Sequence, residues 1–221
     1  MQKEYGIAVI GAGDRGTVYS NVFGKIPGTK FISVCDLQED RTDKVKKTFN
    51  FTYTDIDYKK AILRDSVDIV VICTPVCTHH DIAVFAMEHK RHVVMEKSMA
   101  LSVTDAQDMI STAEKNNVRF TLGFQYPNIK TWKAIKRMIE QNKIGRPILM
   151  HFFDYRMIRP KTAMHDALNG NGGPMTDMAC HFYDLMHWFF ESEPINVTSK
   201  PRYRNNFNHW NIDFDPASLS N

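Results

Sequence analysis

Three polar residues near the end of the sequence recur at helical spacing. Asp177, His181 and Asp184 are four and three residues apart, and on a helix such spacings place side chains on one face. The apolar residues of the same segment fall on a different face and are Met178, Phe182, Leu185 and Phe189. A carboxylate can orient a histidine ring and stabilise its charged form, so that the histidine moves protons. The pattern predicts a polar helix face lining a cleft; the alternative is a solvated helix face.

Lys97 is the second group whose position indicates chemistry. It comes just after the apolar run HVVM of residues 92–95. Removing a hydride from a secondary alcohol requires a base for the hydroxyl proton and a cation near the developing alkoxide. A lysine at the end of a buried strand can serve in this way, because desolvation there would lower its pKa. The alternative is a surface lysine paired with Glu96.

A glycine-rich turn lies between an apolar run, YGIAVI, and a segment that can form a helix. In such a turn Gly11 permits the tight bend, Gly13 lets the backbone approach a pyrophosphate, and Gly16 lets the helix pack on the strand. The N–H groups at the start of the helix then face the phosphates. The pattern predicts a dinucleotide site; the alternative is a strand–helix turn that merely needs glycine.

Asp36 ends the second predicted strand, 20 residues after Gly16. A carboxylate at this point accepts hydrogen bonds from both ribose hydroxyls and repels a 2′-phosphate. Leu37 follows it, and the nearest cation, Arg41, lies a helical turn further on. The sequence therefore predicts NAD as the cofactor, with NADP less favoured.

Strand and helix patterns alternate through the first half of the chain. The predicted strands are residues 5–10, 30–36, 67–72, 92–95 and 118–124. The predicted helices are Arg15–Lys25, Leu37–Phe49, Asp81–His89 and a segment from a capping box at Ser102 to Asn116. Such alternation predicts an α/β fold with a doubly wound parallel sheet covered on both faces. Ligands bind beyond the carboxyl ends of the strands in such a sheet.

Composition excludes several classes of protein. The chain has 221 residues with 28 basic and 25 acidic side chains, too balanced for a nucleic-acid-binding surface. It shows no signal peptide and no apolar run near the ~20 residues of a membrane span. Its four cysteines suit a reducing compartment, which predicts a cytoplasmic protein. Neither the Cys73–Cys77 spacing nor a set of Asp177, His181 and His187 makes a convincing metal site, so no metal is expected.

Five motifs carry a family resemblance when taken together. They are GAGDRG, CD at the end of the second strand, CTPVCTHH, MEKS and GGPMTDMACHFYDLMHW, and they span about residues 4–190. In this order they resemble the glucose-fructose oxidoreductase/inositol dehydrogenase/rhizopine catabolism (Gfo/Idh/MocA) family. The resemblance implies an N-terminal Rossmann domain followed by an α+β domain with a largely antiparallel sheet. It also implies NAD(P)-dependent oxidation or reduction of a sugar, cyclitol or related polyol.

The resemblance also assigns roles to individual residues. It implies that Lys97, Asp177 and His181 form the catalytic set and contact the substrate. The expected cofactor-binding residues are Gly11, Ala12, Gly13, Asp14, Arg15, Gly16, Asp36, Thr74, Pro75, His79, Glu96, Lys97 and Gln125. Arg159 and His165, in the loop from Arg156 to Asn171, are expected to face the substrate. His79 is expected to shape the cofactor pocket or cap a helix.

The chain departs from the family pattern at two positions and is expected to be short at its C-terminus, because family chains are typically half as long again. Ser98 replaces the usual proline after Glu-Lys, and Gln125-Tyr126 stands where many relatives carry an asparagine- or arginine-containing sequence. The sequence predicts a dinucleotide-binding domain over residues 1–123 and a partial substrate and oligomerisation domain over residues 124–221. A sheet cut in mid-course would leave an open edge, so a homo-oligomer is expected.

Three functions are compatible with these patterns. The main prediction is an enzyme, an NAD-dependent oxidoreductase acting on a small-molecule polyol or sugar. The second is a glycoside hydrolase that uses NAD transiently. The third is a nucleotide-binding protein without catalytic activity.

Overall fold

The computed structural model describes residues 3–152, 175–202 and 207–214. The described chain separates into two compact units, residues 3–123 with 175–177, and residues 124–152 with 178–202 and 207–214. Each unit has its own secondary structure.

The first unit is built around a six-stranded sheet. Its strands are β1 (Tyr5–Ile10), β2 (Thr29–Cys35), β3 (Tyr53–Asp55), β4 (Ile69–Ile72), β5 (His92–Met95) and β6 (Phe120–Leu122). Its helices are α1 (Asp14–Phe23), α2 (Glu39–Phe49), α3 (Tyr58–Ile62), α4 (His79–Glu88) and α5 (Val103–Asn116). A short 3₁₀ turn, Val76–Thr78, precedes α4.

All neighbouring strands of this sheet are parallel, in the order β3-β2-β1-β4-β5-β6. The predicted doubly wound parallel sheet is therefore confirmed. The order reverses direction between β1 and β4, and ligands bind at such a switch point, beyond the carboxyl ends of the strands.

Alternate residues of β1 enter two different cores, which explains why the whole strand is apolar. Ile7 and Val9 pack into one cluster with Val34. Ala8 and Ile10 pack into the cluster on the opposite face. A strand buried on both faces needs a continuous apolar run. Packing in both clusters fixes the position of the end of β1, from which the glycine turn begins.

Two elements of the first unit, β3 and α3, were not predicted, whereas the start of α5 was predicted. β3 and α3 are short, with three and five residues, and neither carries a strong periodic pattern. The predicted start of α5 at Ser102 is confirmed, because the side chain of Ser102 accepts a hydrogen bond from the backbone N–H of Asp105 at 3.0 Å.

The second unit contains two helices and a two-stranded antiparallel sheet. Its elements are a 3₁₀ turn (Tyr126–Asn128), α6 (Lys130–Glu140), α7 (Cys180–Phe190), β7 (Pro194–Arg202) and β8 (Phe207–Phe214). Lys136 of α6 is buried, and its ammonium forms an ion pair with Glu191 at the end of α7. This pair joins the two helices.

The segment with Asp177, His181 and Asp184, which the spacing predicts as a helix, begins differently. Met175–Ala179 form one wider, π-helical turn, and regular α-helix starts only at Cys180. The carbonyl oxygens of Thr176 and Asp177 accept hydrogen bonds from Ser98 and Lys97. These outside donors compete with regular helical bonding, and π-helical turns of this kind recur at functional sites.

Candidate cofactor and active site

Packing requires glycine at two positions of the turn that follows β1. Gly11 has a φ of +97°, and a Cβ there would lie 2.6 Å from the carbonyl oxygen of Cys73. A Cβ on Gly16 would collide with the carbonyl oxygen of Gly11. The Gly11 N–H donates to the Cys35 carbonyl at 2.8 Å, and the Cys73 N–H donates to the Ile10 carbonyl at 2.7 Å. The chain at the end of β1 is therefore fastened on the sides of both neighbouring strands.

Gly13 is different, because nothing in the described chain fills the space beside it. A Cβ at Gly13 would have one neighbour within 4 Å, Nη1 of Arg41 at 3.9 Å. Gly13 also begins α1 without a side-chain cap, so the first N–H groups of the helix remain available to an anion. An open glycine at an uncapped helix start fits the pyrophosphate of a dinucleotide.

Asp36 lies immediately after β2, beside this turn. Its Oδ2 accepts from the Ala12 N–H at 2.8 Å, and its Oδ1 accepts from the Gln38 N–H at 3.0 Å. Two backbone donors fix the orientation of the carboxylate, while each oxygen retains a further lone pair. Leu37, which follows, is 88% exposed. The arrangement suits a carboxylate that receives ribose hydroxyls.

Lys97 follows β5 at the same edge of the sheet. Its Nζ donates to Oδ1 of Asp177 at 2.6 Å and to the Asp177 carbonyl oxygen at 2.5 Å. The lysine side chain is 15% exposed and that of Asp177 is 41% exposed. The alternative of a surface lysine paired with Glu96 is therefore wrong. The structure does bring Lys97 and Asp177 together, as the motifs suggested.

The Glu96 side chain points into the first unit. Its carboxylate is 5% exposed and forms an ion pair with Arg15. Tyr19 also hydrogen bonds to Glu96, and burial together with the Glu96 charge raises the pKa of the Tyr19 hydroxyl. Sequence reasoning missed Tyr19. Its spacing of four residues from Arg15 was an available signal, because such pairs share a helix face.

His79, the first residue of α4, is fully buried between two backbone carbonyls. Its Nδ1 lies 2.9 Å from the Ser98 oxygen, and its Nε2 lies 3.0 Å from the Thr74 oxygen. Burial lowers the pKa of the imidazole, against the opposing effect of these carbonyls. A neutral ring donates from one nitrogen only, so His79 donates to one of these carbonyls and packs against the other, between the ends of β4 and β5. Pro75 begins the intervening 3₁₀ turn.

His181 belongs to the second unit and is 4% exposed. Its ring stacks on Tyr126 with centroids 4.6 Å apart and meets the ring of Phe124 edge-on at 5.9 Å. Gln125 lies between these two aromatic residues, at the start of the 3₁₀ turn. A solvated helix face is therefore wrong for His181. Aromatic walls leave the imidazole in a fixed plane, as a proton carrier requires.

Asp184 lies one helical turn after His181 on α7. Burial raises the pKa of its carboxyl group, partly offset by His187. Its Oδ2 is buried and has no hydrogen-bond partner in the described part of the chain. The predicted substrate contacts Arg159 and His165 lie outside the described residues, as does the Gly172-Gly173-Pro174 segment.

Within the described ranges, no group of three or more histidine, cysteine or acidic residues could hold a metal ion. No helix among the same residues is both long and apolar enough to cross a lipid bilayer.

Comparisons with known proteins agree with this geometry. Residues 5–124 match the model of an oxidoreductase family with an NAD-binding Rossmann fold. Residues 132–213 match the GFO/IDH/MocA C-terminal domain. The crystal structure of GenD2 from gentamicin A biosynthesis, in complex with NAD, superposes with a TM-score of 0.85 at 21% identity, covering 97% of this chain and 63% of that one.

Two curated relatives are similar in sequence. The myo-inositol 2-dehydrogenase of Thermotoga maritima is 27% identical over 191 residues, which are 86% of this chain and 56% of the relative. The alpha-N-acetylgalactosaminidase of Bacteroides fragilis is 33% identical over 117 residues, which are 49% of this chain and 28% of the relative. The chain thus spans less than two thirds of the length of either relative. Because the N-terminal family model alone matches more than half of it, the chain belongs to the Gfo/Idh/MocA family of oxidoreductases.

Proposed function

We propose that this chain works as an NAD-dependent oxidoreductase that transfers a hydride between the nicotinamide and a hydroxyl group of a cyclitol, sugar or related polyol. The observation that carries the proposal is the Lys97 ammonium held by Asp177 at 2.6 Å. Lys97 follows β5 in the sheet whose β1 leads into the phosphate-type turn, which is the glycine-rich segment Gly11–Gly16. The inositol dehydrogenase among the relatives supports a cyclitol as the first substrate to test.

Each residue of the proposed catalytic set has a separate task. NAD, when bound, supplies the acceptor for the hydride that leaves the carbinol carbon. Lys97 stabilises the negative charge that develops on the hydroxyl oxygen. Asp177 orients the Lys97 ammonium through its carboxylate and its carbonyl oxygen. His181 takes up the hydroxyl proton, and its aromatic neighbours keep the ring in place for that transfer.

The proposed cofactor is NAD, with NADP as the weaker ligand. Asp36 supports this choice, because its carboxylate is fixed by two backbone N–H groups beside the turn. A 2′-phosphate would bring a second negative charge against it. Arg41 is the cation nearest to Gly13 among the described residues, and its charge would offset only part of the repulsion between Asp36 and a 2′-phosphate.

The test has two arms on the purified chain. Titration calorimetry with NADH measures binding. The absorbance of NADH measures turnover on a panel of inositols, aldoses and related polyols, and Lys97→Met is assayed in parallel. Binding with turnover on at least one compound supports the proposal. Binding without turnover on any of them would contradict the proposal and favour a nucleotide-binding protein or a glycoside hydrolase, and an absence of binding would contradict all three.

A second candidate is a glycoside hydrolase that uses NAD within its cycle. The similarity to alpha-N-acetylgalactosaminidase over 117 residues favours considering it. The two functions differ in their products. A hydrolase releases free sugar from a glycoside without accumulation of NADH, whereas a dehydrogenase produces one NADH for each substrate oxidised.

A further inference from the structure

One carboxylate connects the start of α1 to the backbone of Lys97. Oε2 of Glu96 accepts a hydrogen bond from the Lys97 N–H at 3.0 Å. Oε1 of the same group accepts from Nε of Arg15 at 2.6 Å and also from its Nη2. Arg15 is the second residue of α1, within the phosphate-type turn. Arg15 and Glu96, which are 81 positions apart in sequence, are thereby joined.

The surroundings of Glu96 make its orientation specific. A buried carboxylate is stable only when it is paired and its lone pairs are bonded. Arg15 supplies the charge, and Tyr19, one turn further along α1, adds a side-chain hydrogen bond. Both oxygens of Glu96 therefore face protein donors. Through Oε2 the side chain acts on the backbone of Lys97.

Ser98, the residue that follows Lys97, is held as well. The carbonyl oxygen of Ser98 lies 2.9 Å from Nδ1 of the buried His79, and the Ser98 hydroxyl donates to the Thr176 carbonyl. With its N–H and the following residue both fixed, the backbone of Lys97 has little freedom. The direction of its side chain toward Asp177 follows from this support.

We propose that Glu96 is a positioning residue for Lys97, and that Arg15 holds Glu96 in place from the phosphate-type turn. The role assigned to Lys97 rests on the proposed function, whereas the positioning itself is a property of the chain alone. One consequence is that the turn expected to receive the cofactor phosphates and the lysine expected to receive the substrate share one rigid connection.

Glu96→Gln is the main test variant. The amide keeps the shape of the side chain but loses its charge, and its NH₂ group cannot accept from the Lys97 N–H. The readout is trace acetylation of the intact folded chain with acetic anhydride, quantified at each lysine by mass spectrometry. The exposed Lys115 is the internal reference, and the buried Lys136 of the second unit reports any general loosening. Glu114→Gln, an exposed change of the same type, is the matched control.

We expect Glu96→Gln to raise the acetylation of Lys97 several-fold, with Lys136 unchanged. Arg15→Gln should release Lys97 in the same direction, and the double variant should not exceed the larger single effect, because both residues act through one connection. Arg15→Gln also provides the test if Glu96→Gln does not fold. Lys97 acetylation equal to that of Glu114→Gln, or a rise shared equally by Lys136, would overturn the proposal.

Kinetics give a second readout once a substrate is found. A positioning defect should lower kcat in Glu96→Gln while the KM for NAD changes little, whereas a direct cofactor contact would raise that KM. A wild-type chain that oxidises no polyol contradicts the proposed function but leaves the acetylation test intact. Unchanged acetylation contradicts the positioning role and leaves the proposed function standing.

Discussion

The ammonium group of Lys97 donates to the Asp177 carboxylate at 2.6 Å across 80 residues of sequence. The lysine is mostly buried and the aspartate is partly exposed. Such a pair is screened less by solvent than an ion pair on an open surface. It keeps a positive charge at the carboxyl edge of the sheet, which is where the proposed chemistry needs it.

Lys97→Met should abolish most of the proposed turnover without preventing cofactor binding. We expect kcat to fall by roughly 10²–10⁴, the usual contribution of a group that assists proton transfer or stabilises charge. Steady-state kinetics and NADH titration measure the two effects separately. Lys115→Met, an exposed change on α5, is the control. An unchanged kcat would remove Lys97 from the mechanism.

Alanine substitution at two glycines of one turn should have different effects, on cofactor binding at Gly13 and on stability at Gly11. Gly13→Ala should leave the melting temperature nearly unchanged, because the new Cβ meets only Arg41 at 3.9 Å, yet it should weaken NADH binding by roughly tenfold through contact with the pyrophosphate. Gly11→Ala should lower the free energy of unfolding by about 1–3 kcal/mol, because its φ is +97°. Thermal melts and calorimetry test both. NADH bound equally tightly by Gly13→Ala would show that the phosphates lie elsewhere.

Asp36 should set the choice between the two cofactors. We expect the wild type to bind NADH more tightly than NADPH by roughly tenfold or more, since each 1.4 kcal/mol corresponds to a factor of ten. Asp36→Ser should reduce or reverse that ratio, while Asp43→Ser on the exposed side of α2 should not. Fluorescence titration with both cofactors gives the ratio. Equal affinities in the wild type would mean that Asp36 does not face the ribose phosphate position.

Asp55 should make the first unit sensitive to acid. Its side chain is 1% exposed. Burial disfavours the charged carboxylate, but hydrogen bonds from Arg64 and Ser33 outweigh burial and lower the pKa of Asp55. A lowered pKa in the folded state stabilises the fold above the unfolded pKa of about 3.9, and this contribution is lost as the pH falls through the folded value.

Asp55→Asn therefore tests a pH-dependent contribution. At pH 7 the variant should be less stable by about 3 kcal/mol, because Arg64 loses its buried partner. The difference from wild type should shrink as the pH falls below about 4. Urea unfolding at several pH values measures it, with the exposed Asp65→Asn as control. A difference that stays constant down to pH 3 would contradict the assignment.

Local patterns were sufficient for much of the fold. The end of β1, the glycine turn and the position of Lys97 depend on apolar runs and on glycines that are adjacent in sequence. β3 was not predicted, because its three residues, Tyr53–Asp55, contain no apolar run. The wider turn at Asp177 was not predicted either, because its carbonyl oxygens are engaged by donors 78 and 80 residues away.

In the candidate site, too, local patterns predicted some features, while contacts between distant residues were not predicted. Residue types and spacing indicated Gly13, Asp36, Lys97 and His181 as candidates. They did not predict the hydrogen-bond or ion-pair partner of each side chain. The adjacency of Glu96 and Lys97 suggested an ion pair between them as the alternative. In the structure the Glu96 carboxylate pairs with Arg15, and the Lys97 ammonium pairs with Asp177. The crossover connections between strands bring these ion-pair partners together from distant parts of the sequence, so a short window of sequence does not predict them.

The strand order also has a consequence for how the chain is made. β1 leaves the ribosome first, yet it lies between β2 and β4, so one of its edges stays open until Ile69–Ile72 have been synthesised. Synthesis proceeds at about 5–20 residues per second, so an apolar strand waits for seconds with unpaired N–H and C=O groups. Slower translation between β1 and β4 would lengthen the interval during which this edge of β1 is unpaired.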